Sequence, residues 1–527
     1  MQLTLGSPRR NFLSRIELWL LSSKCPWILI ALGAVLRLVC YLHNQNLSVD
    51  EAGLVLNIVY RTPRELLEPL IYRQQAPVGF LLVEKLASEW WGTSEYVFRL
   101  LPLLSGLLSL FVFHWVVRRI LQPLEASVAL FLFAISDYLV FYSSNVKPYS
   151  GDVLFALLVT LFGIRFLEAP FSRRAVFGFA TIGFLGPWFS YASVLTLAGV
   201  GSVVLCAFWW RRDWKSVMTT TSITVVWITA FLFNYFWFWY HRAQSSEYLA
   251  SLSSFFPRFP PRSPGDLFDY SERFFAFLDN PGGFKFAGLA ALLFVLGGVR
   301  LWRRQPILCS LLIAPLFVAF AAAVLRKYPF NHRLILFLVP SALILIATAL
   351  VWIWVKTRSV MPALGPLTAA FLLLYPVGWT LFHLTRPRTN QQIRPMLDVL
   401  KQSFQSEDSL LVYQTALPAF SYYQSVRREL AISNYVVGKR LPPNPRSASS
   451  SQYEDLFRLR GRPRVWVLIT YVRDDEQWRI VAVLDSIGTR LRAVEDYRAA
   501  LYLYDLSNLP AEVPQLESNT SKTPPPL

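Results

Sequence analysis

The sequence has 527 residues, of which 54% are hydrophobic and 16% charged, with a mean hydropathy of +0.39. A water-soluble protein of this length would have to hide that apolar surface in a core larger than one domain builds, so the composition favours a membrane protein. The net charge of +18 does not indicate nucleic-acid binding, because the Arg and Lys residues cluster in short segments between apolar runs.

Repeated apolar runs are long enough to cross about 30 Å of hydrocarbon as helices. About eleven such runs are predicted, near 26–43, 99–117, 124–141, 150–167, 174–190, 192–210, 216–240, 285–302, 306–325, 333–355 and 361–383. The sequence therefore predicts an α-helical polytopic membrane protein with a transmembrane domain over 26–385. The basic segment 1–25 lacks the features of a cleavable signal peptide and is expected to precede a retained first span.

The distribution of basic residues predicts how the helices are oriented. With the N-terminus in the cytoplasm, every inside loop is basic and carries few acids. These loops contain Arg118 and Arg119; Arg165, Arg173 and Arg174; Arg211, Arg212 and Lys215; Arg300, Arg303 and Arg304; and Lys356 and Arg358. An odd number of spans then places the C-terminal region outside.

Two outer segments are too long to be simple turns. The first outer loop, 44–98, contains an apolar stretch over 77–91 that also carries Glu84 and Lys85. These charges favour a helix lying in the membrane interface over a further span. The second segment, 241–284, is rich in Ser and Pro and is expected to form a loop that covers a site.

The composition changes after residue 385, where short apolar runs alternate with polar helical patterns. Strands are predicted over 409–413, 465–470 and 500–504, and helices over 393–404 and 474–486. This alternation predicts a small α/β domain over 386–508 outside the membrane. The Pro- and Ser-rich tail 509–527 is predicted to be disordered.

Two adjacent carboxylates, Asp50 and Glu51, follow the first span at the outer boundary. One explanation is a helix start, where acids are favoured by capping and by the positive end of the helix dipole. The other is catalytic, since a carboxylate at this place can remove a proton from an incoming hydroxyl. The sequence alone leaves both explanations open.

Cations collect on the same predicted side. Lys147 lies in a polar turn after the third span, and Arg326 and Arg333 lie between the ninth and tenth spans. They suit lipid head-group contact, or the binding of a phosphate at membrane depth. A base and a cation cluster together suit glycosyl transfer from a lipid phosphate. Asp152, inside the following apolar run, is equally well explained as a buried structural acid.

Several short motifs occur in a fixed order over about residues 20–385. They are Asp50-Glu51, Gln74-Gln75-Ala76-Pro77, Arg99-Leu100-Leu101-Pro102, the segment 144–152 and the segment 328–333. In order and topology they resemble the GT-C superfamily of membrane glycosyltransferases. The resemblance is to bacterial relatives of the dolichyl-phosphate-mannose protein mannosyltransferases and to the lipid A aminoarabinose transferases.

The resemblance implies roles for individual residues. It points to Asp50 as the catalytic base, with Glu51 as the second candidate. It assigns the donor phosphate to Lys147, Arg326 and Arg333, and the sugar or acceptor pocket to Gln75, Arg99 and Tyr149. Packing of the first loop is an equally plausible role for Arg99. The resemblance requires no metal and no cofactor.

The sequence therefore predicts an inverting glycosyltransferase in a bacterial inner membrane. Its donor is a polyprenyl-phosphate-linked sugar, and its acceptor is a hydroxyl of a lipid, glycan or protein on the periplasmic side. No β-trefoil insertion of the kind found in the eukaryotic protein mannosyltransferases occurs in the sequence, which puts a protein acceptor in doubt. Two alternatives stay open: a transporter or flippase for a lipid-linked sugar, and a non-catalytic subunit with the same fold.

Overall fold

The computed structural model describes residues 15–239, 255–428, 430, 432, 435–441, 454–472 and 474–507. The chain divides into two compact units, Met1–Gln45 with Asn57–Arg388, and Asn46–Leu56 with Thr389–Leu527. The division differs from the predicted domains in the first loop, because Asn46–Leu56 belongs to the second unit. The predicted tail 509–527, most of segment 1–25 and part of loop 241–284 lie outside the described residues.

Helices account for the first unit. Before Thr389 they are α1 (Cys25–Leu42), α2 (Val49–Tyr60), α3 (Val78–Trp91), α4 (Glu95–Ile120), α5 (Pro123–Ile135), α6 (Asp137–Tyr142), α7 (Tyr149–Glu168), α8 (Arg173–Phe189), α9 (Ala192–Trp210), α10 (Trp214–Asn234), α11 (Pro264–Asp279), α12 (Ala287–Arg304), α13 (Pro306–Val324), α14 (Val339–Thr357) and α15 (Leu364–Thr385). A π-helical turn, Tyr235–Trp239, extends α10, and a 3₁₀ segment, His332–Leu338, leads into α14.

The apolar runs of the sequence coincide with these helices. Among the described residues, eight helical segments are long and apolar enough to cross a membrane: α1, α4, α7, α9, α10 with its π turn, α13, α14 with its 3₁₀ segment, and α15. The chain is therefore an integral membrane protein. The other predicted spans correspond to α8, to α12, and to α5 with α6. That last pair is separated at Ser136, whose backbone is extended (φ −60°, ψ 111°).

The centre of the helical unit is α14. In the most apolar window of His332–Thr357, 89% of the residues are buried, and no other candidate span in the described chain exceeds 61%. Helix α12 lies directly against it at Gly297. A methyl group at that position would stand 1.8 Å from the Leu345 carbonyl oxygen, so only glycine allows this approach.

A buried ion pair joins the start of α5 to the end of α12. The backbone N–H of Gln122 donates to Glu125 Oε2 at 3.0 Å and closes the first turn of α5. Arg304 donates to both carboxylate oxygens of Glu125, at 3.0 and 2.7 Å. Glu125 thus has bonds to both oxygens and acts as an anchor between two helices.

Helix α3 has 14 residues and coincides with the apolar stretch 77–91, for which the sequence predicts an interfacial helix. Glu84, one of the two charged residues on which that prediction rests, is fully buried, and within the described chain neither of its carboxylate oxygens has a hydrogen-bond partner. Burial raises its pKa well above the ordinary range for glutamate. Trp90 and Trp91 at the end of the helix are exposed, as expected for rings at a membrane interface.

The second unit contains a five-stranded mixed sheet. Its strands are β1 (Ser409–Tyr413), β2 (Tyr435–Gly438), β3 (Val465–Thr470), β4 (Thr489–Asp496) and β5 (Ala499–Asp505), in the order β2-β1-β3-β5-β4. Strands β2, β1 and β3 run parallel, and β5 is antiparallel to both β3 and β4. The helices of this unit are α16 (Arg394–Ser403), α17 (Leu417–Ser421), α18 (Glu454–Phe457) and α19 (Asp474–Ile487).

The buried strands are those that the sequence predicts. Every residue of β1 and β3 is buried, as expected for apolar runs in the middle of a sheet. Strands β2 and β4 were not predicted. Four of the eight residues of β4, Thr489–Asp496, are charged and most are exposed, which is typical of an edge strand and obscures the apolar alternation.

Asp408 anchors the start of β1. Its carboxylate accepts hydrogen bonds from Arg464 Nε at 2.7 Å, Trp466 Nε1 at 2.7 Å and the Gln405 backbone N–H at 3.0 Å. Burial by itself would raise the pKa of Asp408, but the bonds from Arg464, Gln405 and Trp466 outweigh it and hold that pKa below the ordinary value.

Candidate active site

The acid pair lies in the first turn of α2. The backbone N–H and the hydroxyl of Ser48 both donate to Glu51 Oε2, at 3.0 and 2.9 Å, and the Glu51 N–H donates back to Ser48 Oγ at 3.3 Å. These reciprocal bonds form a capping box that buries Glu51. Glu51 therefore has a structural task at the helix start, whereas its neighbour Asp50 is half-buried.

The backbone just before the acid pair is held by other parts of the second unit. The Tyr423 hydroxyl accepts from the Leu47 N–H at 3.2 Å, and the Gln391 side-chain amide donates to the Leu47 carbonyl at 2.8 Å. The Asn46 amide donates to Gln392. Both polar backbone groups of Leu47 are thus bonded, which sets the direction from which α2 starts.

Lys147 lies in the turn between α6 and α7 of the first unit and is 7% exposed. Its ammonium donates to Gln74 Oε1 at 2.5 Å, and the Gln74 amide donates to the Tyr72 carbonyl at 3.0 Å. Tyr72 and Arg73 both have a left-handed backbone, with φ of +57° and +54°. This turn brings Gln74 to Lys147, whereas the sequence predicted Gln75 for the pocket.

Arg333 and Tyr149 are also brought together. The Arg333 guanidinium lies over the Tyr149 ring, 5.7 Å from its centroid, at a distance typical of a cation–π contact. Tyr149 begins α7, two residues after Lys147 in the sequence. We refer to Gln74, Lys147, Tyr149 and Arg333 as the Lys147 cluster. It places two cations at one end of the helical unit.

Two other predicted site residues differ in their burial. Arg326 is exposed with a left-handed backbone (φ +55°), and in the described part of the chain its side chain makes no hydrogen bond or ion pair. Arg99 is fully buried, and its Nη1 donates to the Asn44 side-chain oxygen at 3.0 Å and to the Gln45 carbonyl at 2.7 Å. These bonds hold the start of the first loop, which supports the packing role for Arg99.

Asp152 is a further candidate beside the Lys147 cluster. It is buried in the first turn of α7 and hydrogen-bonded to Ser190, but within the described residues its Oδ1 has no hydrogen-bond partner. Helix α4 approaches this region closely, because a methyl group on Gly106 would stand 2.6 Å from Ser143 Cβ. Among the described residues no group of three or more His, Cys, Asp or Glu side chains is arranged to hold a metal ion.

No family model and no curated protein matches the sequence. Solved structures do share its architecture. The apo structure of ArnT from Cupriavidus metallidurans is 14% identical and covers 92% of this chain and 98% of that chain, with a TM-score of 0.52. The chain has the GT-C fold. The likeness extends beyond the transmembrane helices, since it covers nearly the whole ArnT chain, whereas the sequence motifs stop near residue 385.

Two further solved structures match this GT-C chain. ArnT bound to undecaprenyl phosphate is 13% identical and covers the same shares of the two chains, with a TM-score of 0.45. The apo oligosaccharyltransferase from Archaeoglobus fulgidus is 11% identical and covers 85% of this chain and 70% of that chain, with a TM-score of 0.48. At these identities the likeness concerns the fold, and the activity is argued from the site.

Proposed function

We propose that the chain is an inverting glycosyltransferase that moves a sugar from a polyprenyl-phosphate donor to an acceptor hydroxyl. In this proposal the N-terminus is cytoplasmic, the protein lies in a bacterial inner membrane, and transfer occurs at the periplasmic face. The acceptor is a lipid, a glycan or a protein. The observation that carries the proposal is the Lys147 cluster, which contains two cationic side chains at one end of the helical unit.

Burial of Lys147 supports a phosphate-binding role. An ammonium that is 93% removed from solvent loses most of its hydration, so it favours an anion more strongly than an exposed lysine does. Arg333 adds a guanidinium, whose planar donors suit phosphate oxygens, and its contact with Tyr149 orients it. The solved complex of ArnT, which has the same fold, contains undecaprenyl phosphate. That is the class of lipid that we propose for this chain.

The proposed chemistry is a single displacement. Asp50 accepts the proton of the acceptor hydroxyl, and the acceptor oxygen forms a bond to the anomeric carbon. The bond between that carbon and the phosphate oxygen breaks, and its electron pair leaves on polyprenyl phosphate. Lys147 and Arg333 stabilise the charge that develops on this phosphate. Attack opposite the leaving group inverts the anomeric configuration.

The other predicted site residues differ in the observations that support their roles. Tyr149 belongs to the Lys147 cluster, and Gln75 directly follows Gln74, so both are proposed to line the sugar pocket. For Arg326, only the resemblance supports the proposed contact with the donor phosphate. We assign Glu51 and Arg99 to the positioning of the first loop, because their bonds are made within the protein.

The test is donor binding and turnover with the full-length protein in lipid nanodiscs. Short-chain polyprenyl-phosphate sugars serve as probes, and released polyprenyl phosphate reports transfer or hydrolysis. We expect wild type to bind at least one donor, and Lys147→Met and Arg333→Ala to weaken binding by about 10- to 100-fold, the value of a lost charged hydrogen bond. Lys356→Met and Arg300→Ala are matched controls, since both residues are exposed and lie near the C-terminal ends of α14 and α12.

Three outcomes would change the proposal. Equal binding by wild type, Lys147→Met and Arg333→Ala would remove the donor site from the Lys147 cluster. Binding without any release of polyprenyl phosphate would favour a carrier or a non-catalytic subunit over a transferase. Donor binding by Arg326→Ala equal to that of wild type would remove Arg326 from the proposed phosphate site.

A further inference from the structure

A cavity lies within the helical unit, and none of its lining residues belongs to the Lys147 cluster. It opens to solvent, and its empty volume including that opening is ≈ 500 Å³. It lies between the break that separates α5 from α6, the end of α11, and the second half of α15. Its polar and aromatic lining consists of Ser136, Asp137, Tyr138, Asp279, Tyr375 and Trp379.

Helix irregularities create this cavity. The extended backbone at Ser136 interrupts the helix, and Pro376 lies inside α15, where it removes one helix hydrogen bond. The Thr380 hydroxyl donates to the Ile135 carbonyl at 2.8 Å and ties the two irregular stretches together. Irregular backbone within a membrane protein is tolerated where it lines a polar cavity, so the breaks fit a site better than an apolar contact.

One buried polar atom in the cavity wall is unsatisfied. Ser136 is 6% exposed, and its Oγ has no hydrogen-bond partner among the described residues. A buried hydroxyl without a partner costs about 1–3 kcal/mol, so such groups are usually bonded. A ligand that offers a hydrogen-bond donor or acceptor at this place would satisfy it.

The two acids of the cavity differ in how they are paired. Asp137 binds His383 Nδ1 at 2.7 Å and Arg388 Nη1 at 2.8 Å, so its charge is compensated. Asp279 is half-buried, and within the described chain no cation pairs with it. Its carboxylate oxygens are acceptors only, and a planar carboxylate can accept from two neighbouring hydroxyls at once.

Aromatic rings form the other side of the cavity. Tyr375 and Trp379 are stacked at 5.4 Å with their planes 14° apart, and Trp379 meets the His383 ring edge-on at 4.8 Å. The Arg388 guanidinium covers the Tyr138 ring at 4.4 Å. Apolar ring faces beside acceptors and a hydroxyl match the two surfaces of a pyranose, its C–H face and its ring of hydroxyls.

We infer that this cavity binds a single hydroxyl-bearing sugar ring, with Asp279 and Ser136 bonding its hydroxyls and Trp379 contacting its C–H face. Tyr138 packs on Tyr142 at 6.3 Å, and Tyr142 packs on Tyr149 at 5.3 Å. An aromatic row thus connects the cavity to the Lys147 cluster. Use of the cavity by the sugar of an acceptor rests on the proposed function, whereas sugar binding itself does not.

An ammonium head group of a lipid is the main competing ligand, because acids beside aromatic rings also suit cations. Arg388 argues against it. Its guanidinium bonds to Asp137 and covers the Tyr138 ring, so of the two lining acids only Asp279 is left to attract an ammonium group. A neutral sugar ring does not need a second acid, because its hydroxyls can also bond to Ser136.

The experiment is saturation-transfer NMR on the full-length protein in nanodiscs. The probes are methyl glycosides of glucose, mannose and galactose, with glycerophosphoethanolamine as the lipid head-group probe. We expect ring-proton signals from at least one glycoside, and a reduction of at least about fivefold in Asp279→Asn and Trp379→Ala, the value of one lost stacking or polar contact. Asp279→Asn keeps the shape of the side chain, so it reports binding even if Trp379→Ala folds poorly.

Matched controls are Asp269→Asn, on the same helix but paired with Arg273, and Trp302→Ala, an exposed tryptophan of α12. Signals that survive in Asp279→Asn, an absence of glycoside signals, or signals from glycerophosphoethanolamine alone would each overturn the inference. Loss of donor binding with glycoside signals retained would contradict the proposed function only. The reverse result would contradict the cavity only.

Discussion

Glu125 and Asp152 are both buried acids in the first turn of an apolar helix, but they differ in their hydrogen bonds. Glu125 is 4% exposed, and both of its oxygens accept hydrogen bonds from Arg304 while one also closes the helix turn. Asp152 is 6% exposed, and in the described chain its Oδ1 has no hydrogen-bond partner. The two side chains are similarly buried, but among the described residues only the Glu125 carboxylate has hydrogen-bond partners for both of its oxygens.

The difference separates structural acids from acids that are available to a ligand. A buried carboxylate that is bonded on all sides joins two elements, and its removal leaves another charge uncompensated. A buried carboxylate with an open oxygen adds little to stability, because its hydrogen bonds do not fully offset the cost of its desolvation. An acid of the second kind is a candidate for contact with a substrate where it lies beside other proposed site residues, as Asp152 does beside Tyr149.

The largest effect on stability is expected at Glu125. Glu125→Ala leaves the Arg304 guanidinium without its partner and opens the first turn of α5, so we expect a loss of about 3 kcal/mol of unfolding free energy. Thermal unfolding of the protein in detergent measures it. Glu168→Ala, which breaks the more exposed pair with Arg119, is the control and should cost less than about 1 kcal/mol. Equal losses of unfolding free energy in Glu125→Ala and Glu168→Ala would contradict a special structural role for Glu125.

A smaller and opposite pattern is expected at Asp152. Asp152→Asn replaces a buried carboxyl group with a neutral amide of the same shape and keeps a bond with Ser190 available, so thermal stability should be unchanged or slightly higher. Transfer activity should fall by about tenfold, the value of one lost hydrogen bond. Both are measured on the same preparation. A destabilised Asp152→Asn protein with normal activity would show that Asp152 is a structural acid after all.

The smallest effect is expected at Asp408, which the second unit bonds as completely as the helical unit bonds Glu125. Its pKa in the folded protein lies below the unfolded value, so it stabilises the sheet above about pH 4, and the stabilisation is lost as the pH falls through the folded pKa. Hydrogen exchange of β1 and β3 between pH 5 and 3, corrected for intrinsic rates, measures this loss.

In Asp408→Asn that acid-dependent loss should shrink by on the order of 1 kcal/mol. The neighbouring exposed acid provides the control, since Glu407→Gln should leave the pH dependence unchanged. If Asp408→Asn and Glu407→Gln behave alike, complete hydrogen bonding of an acid does not predict its contribution to stability.

Hydropathy predicted the membrane-spanning helices and the buried strands, but helix α11 (Pro264–Asp279) lies within the segment 241–284, which the sequence predicts to be a loop. Each apolar run of the sequence is helical, and β1 and β3 have the predicted bounds. These elements depend on local composition, which a single sequence carries in full. The edge strand β4 was not predicted, because its own residues lack the apolar alternation of a strand and its pairing with β5 is a contact that local composition does not show.

The candidate site was predicted less completely, because its geometry depends on distant contacts and on turns. Leu47, which precedes the acid pair, is held by Gln391 and Tyr423, more than 340 positions away, and no local pattern shows this. The choice of Gln74 over Gln75 depends on the left-handed backbone before it. For Glu51 the sequence left the helix start and catalysis both open, although Ser48 and Glu51 have the spacing of a capping box.

The most direct test of the proposed reaction compares the two acids of the first turn of α2 in a single-turnover assay. Asp50→Asn removes the proposed base, while Glu51→Gln keeps a capping side chain at its position. With a short-chain donor bound at saturation, Asp50→Asn should bind normally and lose about 100-fold or more of the transfer rate, and Glu51→Gln should stay within about threefold of wild type. Transfer by Asp50→Asn at the wild-type rate would contradict the proposed mechanism.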